Sequence, residues 1–93
     1  MAVVTFLADL RRAAGRATVA VEADTVAGAL AALGASVGSG FAGLLVRDRV
    51  LLPDVEVLLN GRNIQFLAGL ATPLGPEDQV TIFQSGLRGY PGG

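Results

Sequence analysis

Ninety-three residues support one hydrophobic core, with no room for a dinucleotide-binding domain beside a substrate domain. The chain is 52% hydrophobic and only 16% charged, against about 25% charged in an average globular protein, so it folds rather than staying disordered. All seven of its cations are arginine; with eight acids the net charge is −1, which offers no basic face to nucleic acid. It has no Cys and no His, which excludes disulfides, thiol and imidazole catalysis, and zinc sites built from those ligands.

The opening MAVVTFLADLRRAAG has no positive region ahead of its apolar run and no small-residue cleavage site, and it reads as mature protein rather than a signal peptide. Residues 25–46 carry no charge over 22 positions and include Gly34-x-x-x-Gly38, a spacing also used between membrane helices. Glycines at 28, 34, 38, 40 and 43 and serines at 36 and 39 interrupt that run, and no aromatic or Lys anchors flank it. It predicts a helix and a Gly-rich loop, with no membrane partner.

Residues 3–10 alternate, with Val4, Phe6, Ala8 and Leu10 on one side and Thr5, Leu7 and Asp9 on the other. That period of two predicts a half-buried strand. Residues 11–16 read as a turn into a second strand over 17–23, with Val19 and Val21 inward. Asp24 or Thr25 then caps a helix whose stripe is Val26, Ala29, Leu30 and Leu33, stopped by Gly34. Residues 35–43 read as loop, with one apolar turn near Phe41. Arg47-Asp48-Arg49 reads as a charged turn, and residues 50–53 as a short edge piece ended by Pro53. Residues 55–59 form the clearest later strand, and Asn60-Gly61 is a strong hairpin signal leading into residues 63–66. Residues 72–76 have turn chemistry. After Glu77-Asp78 comes a last strand over 79–83, with Val80 and Ile82 inward. The domain spans residues 1–84, and the Gly-rich residues 85–93 are expected to be a flexible tail.

Hairpin, crossing helix and returning strands make an α+β domain, a mixed sheet of four to five strands with one main helix on one face. That is the shape of a β-grasp. Catalytic constellations are missing from it. Gly38-Ser39-Gly40-Phe41-Ala42-Gly43 matches G-x-G-x-x-G, but a helix precedes it where the dinucleotide motif needs a strand. Asp54 with Glu56, adjacent Glu77-Asp78, and Asn60 with Asn63 read as solvated turn or strand surface, with no base to activate a nucleophile. No metal site is expected.

The last two residues, Gly92 and Gly93, have two readings. One is a frayed end. The other is an extended backbone that passes through a narrow channel and presents the Gly93 carboxylate for activation as an acyl group. The sequence resembles the MoaD/ThiS family of ubiquitin-like sulfur carriers. The resemblance is best from Val55-Glu56-Val57-Leu58-Leu59-Asn60-Gly61 through Gly69-Leu70-Ala71-Thr72-Pro73-Leu74. It continues through Glu77-Asp78, Val80-Thr81-Ile82-Phe83 and Gly92-Gly93; Phe6-Leu7-Ala8, Leu10-Arg11 and Thr25-Val26 also match.

The resemblance implies a carrier or co-substrate rather than an enzyme, with no bound cofactor. A ubiquitin-activating-type adenylyltransferase (MoeB/ThiF-like) would use ATP to convert the Gly93 carboxylate to an acyl-adenylate. A sulfur donor would then displace AMP to leave a thiocarboxylate. An acceptor enzyme building molybdopterin, thiamin thiazole, cysteine or another sulfur-containing product would take the sulfur, in the cytoplasm. The family docks partners through apolar groups on the exposed sheet face, and Leu7, Leu67 and Phe83 fall at the matching positions. The alternation adds Leu58 as an outward candidate. Residues 84–91 are longer than the corresponding stretch of a molybdopterin-synthase small subunit. Arg88, Tyr90 and Pro91 are candidate contacts in an acceptor tunnel, Arg88 and Tyr90 equally groups that keep the tail soluble. Two other classes stand beside the carrier: a protein modifier joined through Gly93 to lysines of targets, and an interaction module with an inert terminus.

Overall fold

The computed structural model describes residues 1–84. Strand β1 spans Ala2–Phe6 and helix α1 Ala8–Ala14, followed by β2 over Thr18–Val21. The main helix α2 covers Val26–Ser36, and a single turn, α3, covers Ser39–Ala42. Next come β3 (Val46–Arg47), β4 (Val50–Leu51), β5 (Val55–Leu59) and β6 (Arg62–Asn63). Two 3₁₀ turns, Ile64–Phe66 and Gly69–Ala71, lead to β7, Gln79–Gln84.

Five strands form one sheet in the order β2-β1-β7-β5-β6, with β3 and β4 apart as a two-stranded ribbon. β1 runs parallel to β7, and the other pairs of the large sheet are antiparallel. This is the mixed β-grasp sheet that the order of elements predicts. Its inner face carries Val4, Phe6, Val19, Val21, Val55, Val57, Val80 and Ile82, all buried. Against it lies the α2 stripe predicted from the sequence, Val26, Ala29, Leu30 and Leu33, also buried. Phe41 of α3 closes the core edge-on to Phe6, with ring centroids 5.0 Å apart at 74°, the geometry favoured by ring quadrupoles.

Several boundaries differ from expectation. The first strand stops at Phe6, and residues 8–14 are helix where a strand end and a turn are expected. Leu10 is buried either way, because position 10 continues the period of two from Phe6 and, in α1, shares an i, i+4 stripe with Ala14, which packs against the core. Gly15 ends α1 at φ 76°, its N–H directed at the Arg11 and Arg12 carbonyls, a left-handed stop available to glycine. Gly34 does not end α2, which continues to Ser36. Thr25 is the cap, its Oγ1 accepting from Gly28 N–H at 3.1 Å. Residues 50–51 pair with β3 in the ribbon instead of lying on the sheet edge. Of residues 63–66 only Asn63 is in a strand, because its Oδ1 accepts from Gln65 N–H at 2.8 Å and turns the backbone off the ladder. Pro73 bridges to Thr25, and Leu74 N–H donates to Asp24 O at 2.8 Å, so this segment seals the start of α2.

The charge-free residues 25–46 become α2, α3 and their connection. Among the described residues no helix is long and apolar enough to cross a membrane.

Candidate functional site

The outer sheet face is set by the strand registers. Thr81 lies between Thr5 on β1 and Leu58 on β5, and Phe83 is opposite Glu56. Leu7 directly follows β1, and its N–H donates to Ile82 O at 3.1 Å, which brings it to the end of the sheet where β7 finishes. Leu7 is 43% exposed, and Phe83 and Leu58 are half-buried. These three groups surround the threonine pair Thr5–Thr81, as the alternation predicts, at the end of the strand from which residues 85–93 continue. Asp9, expected on this face, sits instead on α1, paired with Arg12. One border of the patch is anionic: Glu56 faces Phe83 across the ladder, and its Oε1 accepts from Asn63 Nδ2 at 2.8 Å.

Leu67 caps the 3₁₀ turn after β6 and is 37% exposed. Beside it Phe66 is 80% exposed, the most open large apolar side chain of the described residues. The hairpin signal predicts a strand through Phe66, whereas the structure has a 3₁₀ turn that turns the ring outward. The signal was Asn63, whose side chain favours a turn and breaks the alternation that would have hidden the ring. Gly92, Gly93, Pro91, Tyr90 and Arg88 lie outside the described residues.

Of the polar groups singled out in the sequence, Asn60, Asp78, Asn63 and Glu56 make side-chain hydrogen bonds within the fold. Asn60 stands at φ 51° and Gly61 at φ 88°, the two-residue hairpin that Asn-Gly favours. The Asn60 side chain accepts from Gln79 N–H at 2.9 Å and donates to Asp78 Oδ1 at 3.1 Å. Asp78 also accepts from Gly75 N–H at 2.7 Å. That backbone bond first, and Asn60 second, hold its carboxyl below the usual range, against a small opposing effect of desolvation. The Gly38–Gly43 run forms the turn that seats Phe41 in the core. A groove of about 400 Å³ beside α2, lined by Ala27, Leu30, Ala31 and Leu70 with Arg49 as its one charged residue, is mainly apolar and collects no set of catalytic groups. Among the described residues no three His, Cys, Asp or Glu side chains gather into a metal site.

The molecule is thus a ubiquitin-like β-grasp domain with an apolar patch at the exit of its last strand. The ThiS family model matches residues 4–85. Small archaeal modifier protein 3 of Haloferax volcanii is 37% identical over 81 residues, covering 84% of this chain and 87% of that protein. The solution structure of small archaeal modifier protein 1 from Methanosarcina acetivorans superposes with a TM-score of 0.83 at 26% identity, over 95% of each chain. The crystal structure of Mycobacterium tuberculosis CysO superposes at 0.81 and 27% identity, over 91% of this chain and 99% of CysO. The chain belongs to the ThiS family, among small ubiquitin-like sulfur carriers and modifiers.

Proposed function

We propose that this protein is a sulfur carrier that works through the carboxylate of Gly93. A ubiquitin-activating-type adenylyltransferase joins that carboxylate to the α-phosphorus of ATP and releases pyrophosphate. A sulfide equivalent from a donor attacks the acyl carbon, AMP leaves, and Gly93 carries a thiocarboxylate. The thiocarboxylate sulfur is the nucleophile that an acceptor enzyme uses in building a sulfur-containing metabolite. The carrier binds no cofactor itself; ATP belongs to the activating partner, which places the reaction in the cytoplasm.

Membership of the ThiS family over residues 4–85 carries this reading. The fold supports it: β7 ends beside Leu7 and Phe83, so a partner seated on that patch has residues 85–93 at hand. Beyond Phe83 the ten residues to Gly93 reach roughly 33–36 Å when extended. That is long enough for a deep tunnel, in which Arg88, Tyr90 and Pro91 would make the side-chain contacts and Gly92 would allow close backbone approach. Intact mass spectrometry of protein purified from its native host without a C-terminal tag tests the reading. A species heavier by one oxygen-to-sulfur exchange, mapped to Gly93, is expected. If no adenylate or thiocarboxylate forms even with ATP, sulfide and the host's adenylyltransferase, the reading fails.

The kinship with a protein named as a modifier favours a second reading, isopeptide linkage of Gly93 to target lysines. This chain has no Lys, so it cannot build lysine-linked chains on itself. Lysine adducts in host lysate that are lost when Gly92 and Gly93 are deleted would support it.

A further inference from the structure

The five strands of the large sheet hold two charged residues, Glu56 and Arg62. Arg62 pairs with Leu59, which packs against the core, so alternation gives Arg62 to the α2 side of the sheet. Glu56 pairs with Phe83 and stands on the outer face, the one charge that these strands put there. Both residues are half-buried. Asn63, on the same face opposite Leu58, holds one oxygen of the carboxylate, its Nδ2 donating to Glu56 Oε1 at 2.8 Å. Among the described residues no cation pairs with Glu56, and its Oε2 accepts no hydrogen bond.

We infer, on the carrier reading, that Glu56 and Phe83 together seat an arginine of the activating enzyme. A partner that covers Leu7, Leu58 and Phe83 takes water from Glu56 as well, and a carboxylate stripped of water needs a charged donor. Asn63 supplies one neutral donor and orients the side chain, which leaves Oε2 for the partner. Residues opposite each other in an antiparallel ladder have Cβ atoms about 4.5–5.5 Å apart. A carboxylate and an aromatic ring at that spacing suit one guanidinium, whose N–H fork meets the open oxygen while its face lies on the ring. Lysine brings a point charge in place of that fork and plane.

The activating enzyme must select this chain while the Gly93 carboxylate still looks like any other chain terminus. Selection therefore falls on the folded face, where apolar cover gives area and a single charge gives sign and register. One anion on an otherwise uncharged face admits a complementary cation and rejects an acidic partner.

ATP–pyrophosphate exchange by the host's adenylyltransferase, with this chain as the varied substrate, tests the seat. Glu56→Gln keeps an acceptor for Asn63 and removes only the charge, so urea unfolding is expected to be unchanged. Its KM is expected to rise about tenfold while kcat stays within about twofold. Added salt should raise the KM of the unsubstituted chain and leave that of Glu56→Gln nearly level. Phe83→Leu keeps an apolar group but removes the ring, and its KM should rise too. Because both groups hold the same guanidinium, the double variant should lose less than the product of the single losses. If the unsubstituted chain is activated but Glu56→Gln matches it in KM and salt dependence, or the single losses simply multiply, the arginine seat is overturned and the carrier reading stands. If the unsubstituted chain supports no exchange, the carrier reading fails and the seat falls with it.

Discussion

Asn60 sits at φ 51° in the turn between β5 and β6, and its side chain reaches the entry of β7. Asn60→Gly keeps the left-handed backbone, since glycine accepts it without cost, and removes only the two side-chain hydrogen bonds. At this exposed position the loss is expected to be about 1 kcal/mol, read from urea unfolding. Asp78 adds a pH signature. Its carboxyl titrates lower in the folded protein than in the unfolded chain, so the unfolded state binds the proton more tightly. This contribution is therefore present above the ordinary carboxylate range and lost as pH falls below about 4. The Gly75 N–H is the larger cause and survives in Asn60→Gly, so the variant is expected to keep the acid-side decline but show it less steeply. The hairpin was legible from Asn60-Gly61 alone, because that preference is local. The clamp was not, because Asp78 lies 18 residues further along the chain and only the β5–β7 pairing brings it close.

Gly34 marks the same limit for an element. A glycine after an apolar helical stripe reads as a stop, and the helix runs through it because tertiary contacts outweigh local preference. A Cβ at Gly34 would lie 3.8 Å from Ala42 Cβ, an ordinary contact, and the backbone there is helical. Gly34→Ala is therefore expected to stabilise the fold by about 0.5–1 kcal/mol, through higher helix propensity and a less flexible unfolded chain. A left-handed stop would give the opposite sign, and thermal or urea unfolding distinguishes the two. Helix α1 was hidden for a different reason. Leu10 satisfies two periods at once, and the discriminating marks lay off the stripe: Asp9 in the first turn, Arg11 and Arg12 in the last, then Gly15. Together they complement a helix dipole and supply its stop.

At the scale of the whole molecule, the alternation of β1, β5 and β7 divides the apolar residues into two populations with different work to do. Val4, Phe6, Val57, Val80 and Ile82 face α2 and are buried, while Leu7, Leu58 and Phe83 gather on the far side where β7 ends. This division was legible because a strand's period fixes the face of every residue from one anchor. Phe66 escaped it because no period governs a 3₁₀ turn. Exposed apolar groups at the exit of the last strand are costly in water and gain most when a partner covers them. Leu7→Arg tests whether Leu7 serves the partner or the fold. The side chain stands at the surface, so unfolding stability is expected to change by no more than about 0.5 kcal/mol. On the proposed carrier reading, ATP-dependent activation by the host's adenylyltransferase should fall about tenfold or more, mainly through a raised KM for this chain, because a charge would occupy a contact meant to be dry. Val80→Ala is the counterpart, costing fold stability by about 2 kcal/mol while leaving the patch residues in place. If Leu7→Arg lost activity only in step with stability, Leu7 would belong to the core and the docking surface would have to be sought around Phe66 and Leu67.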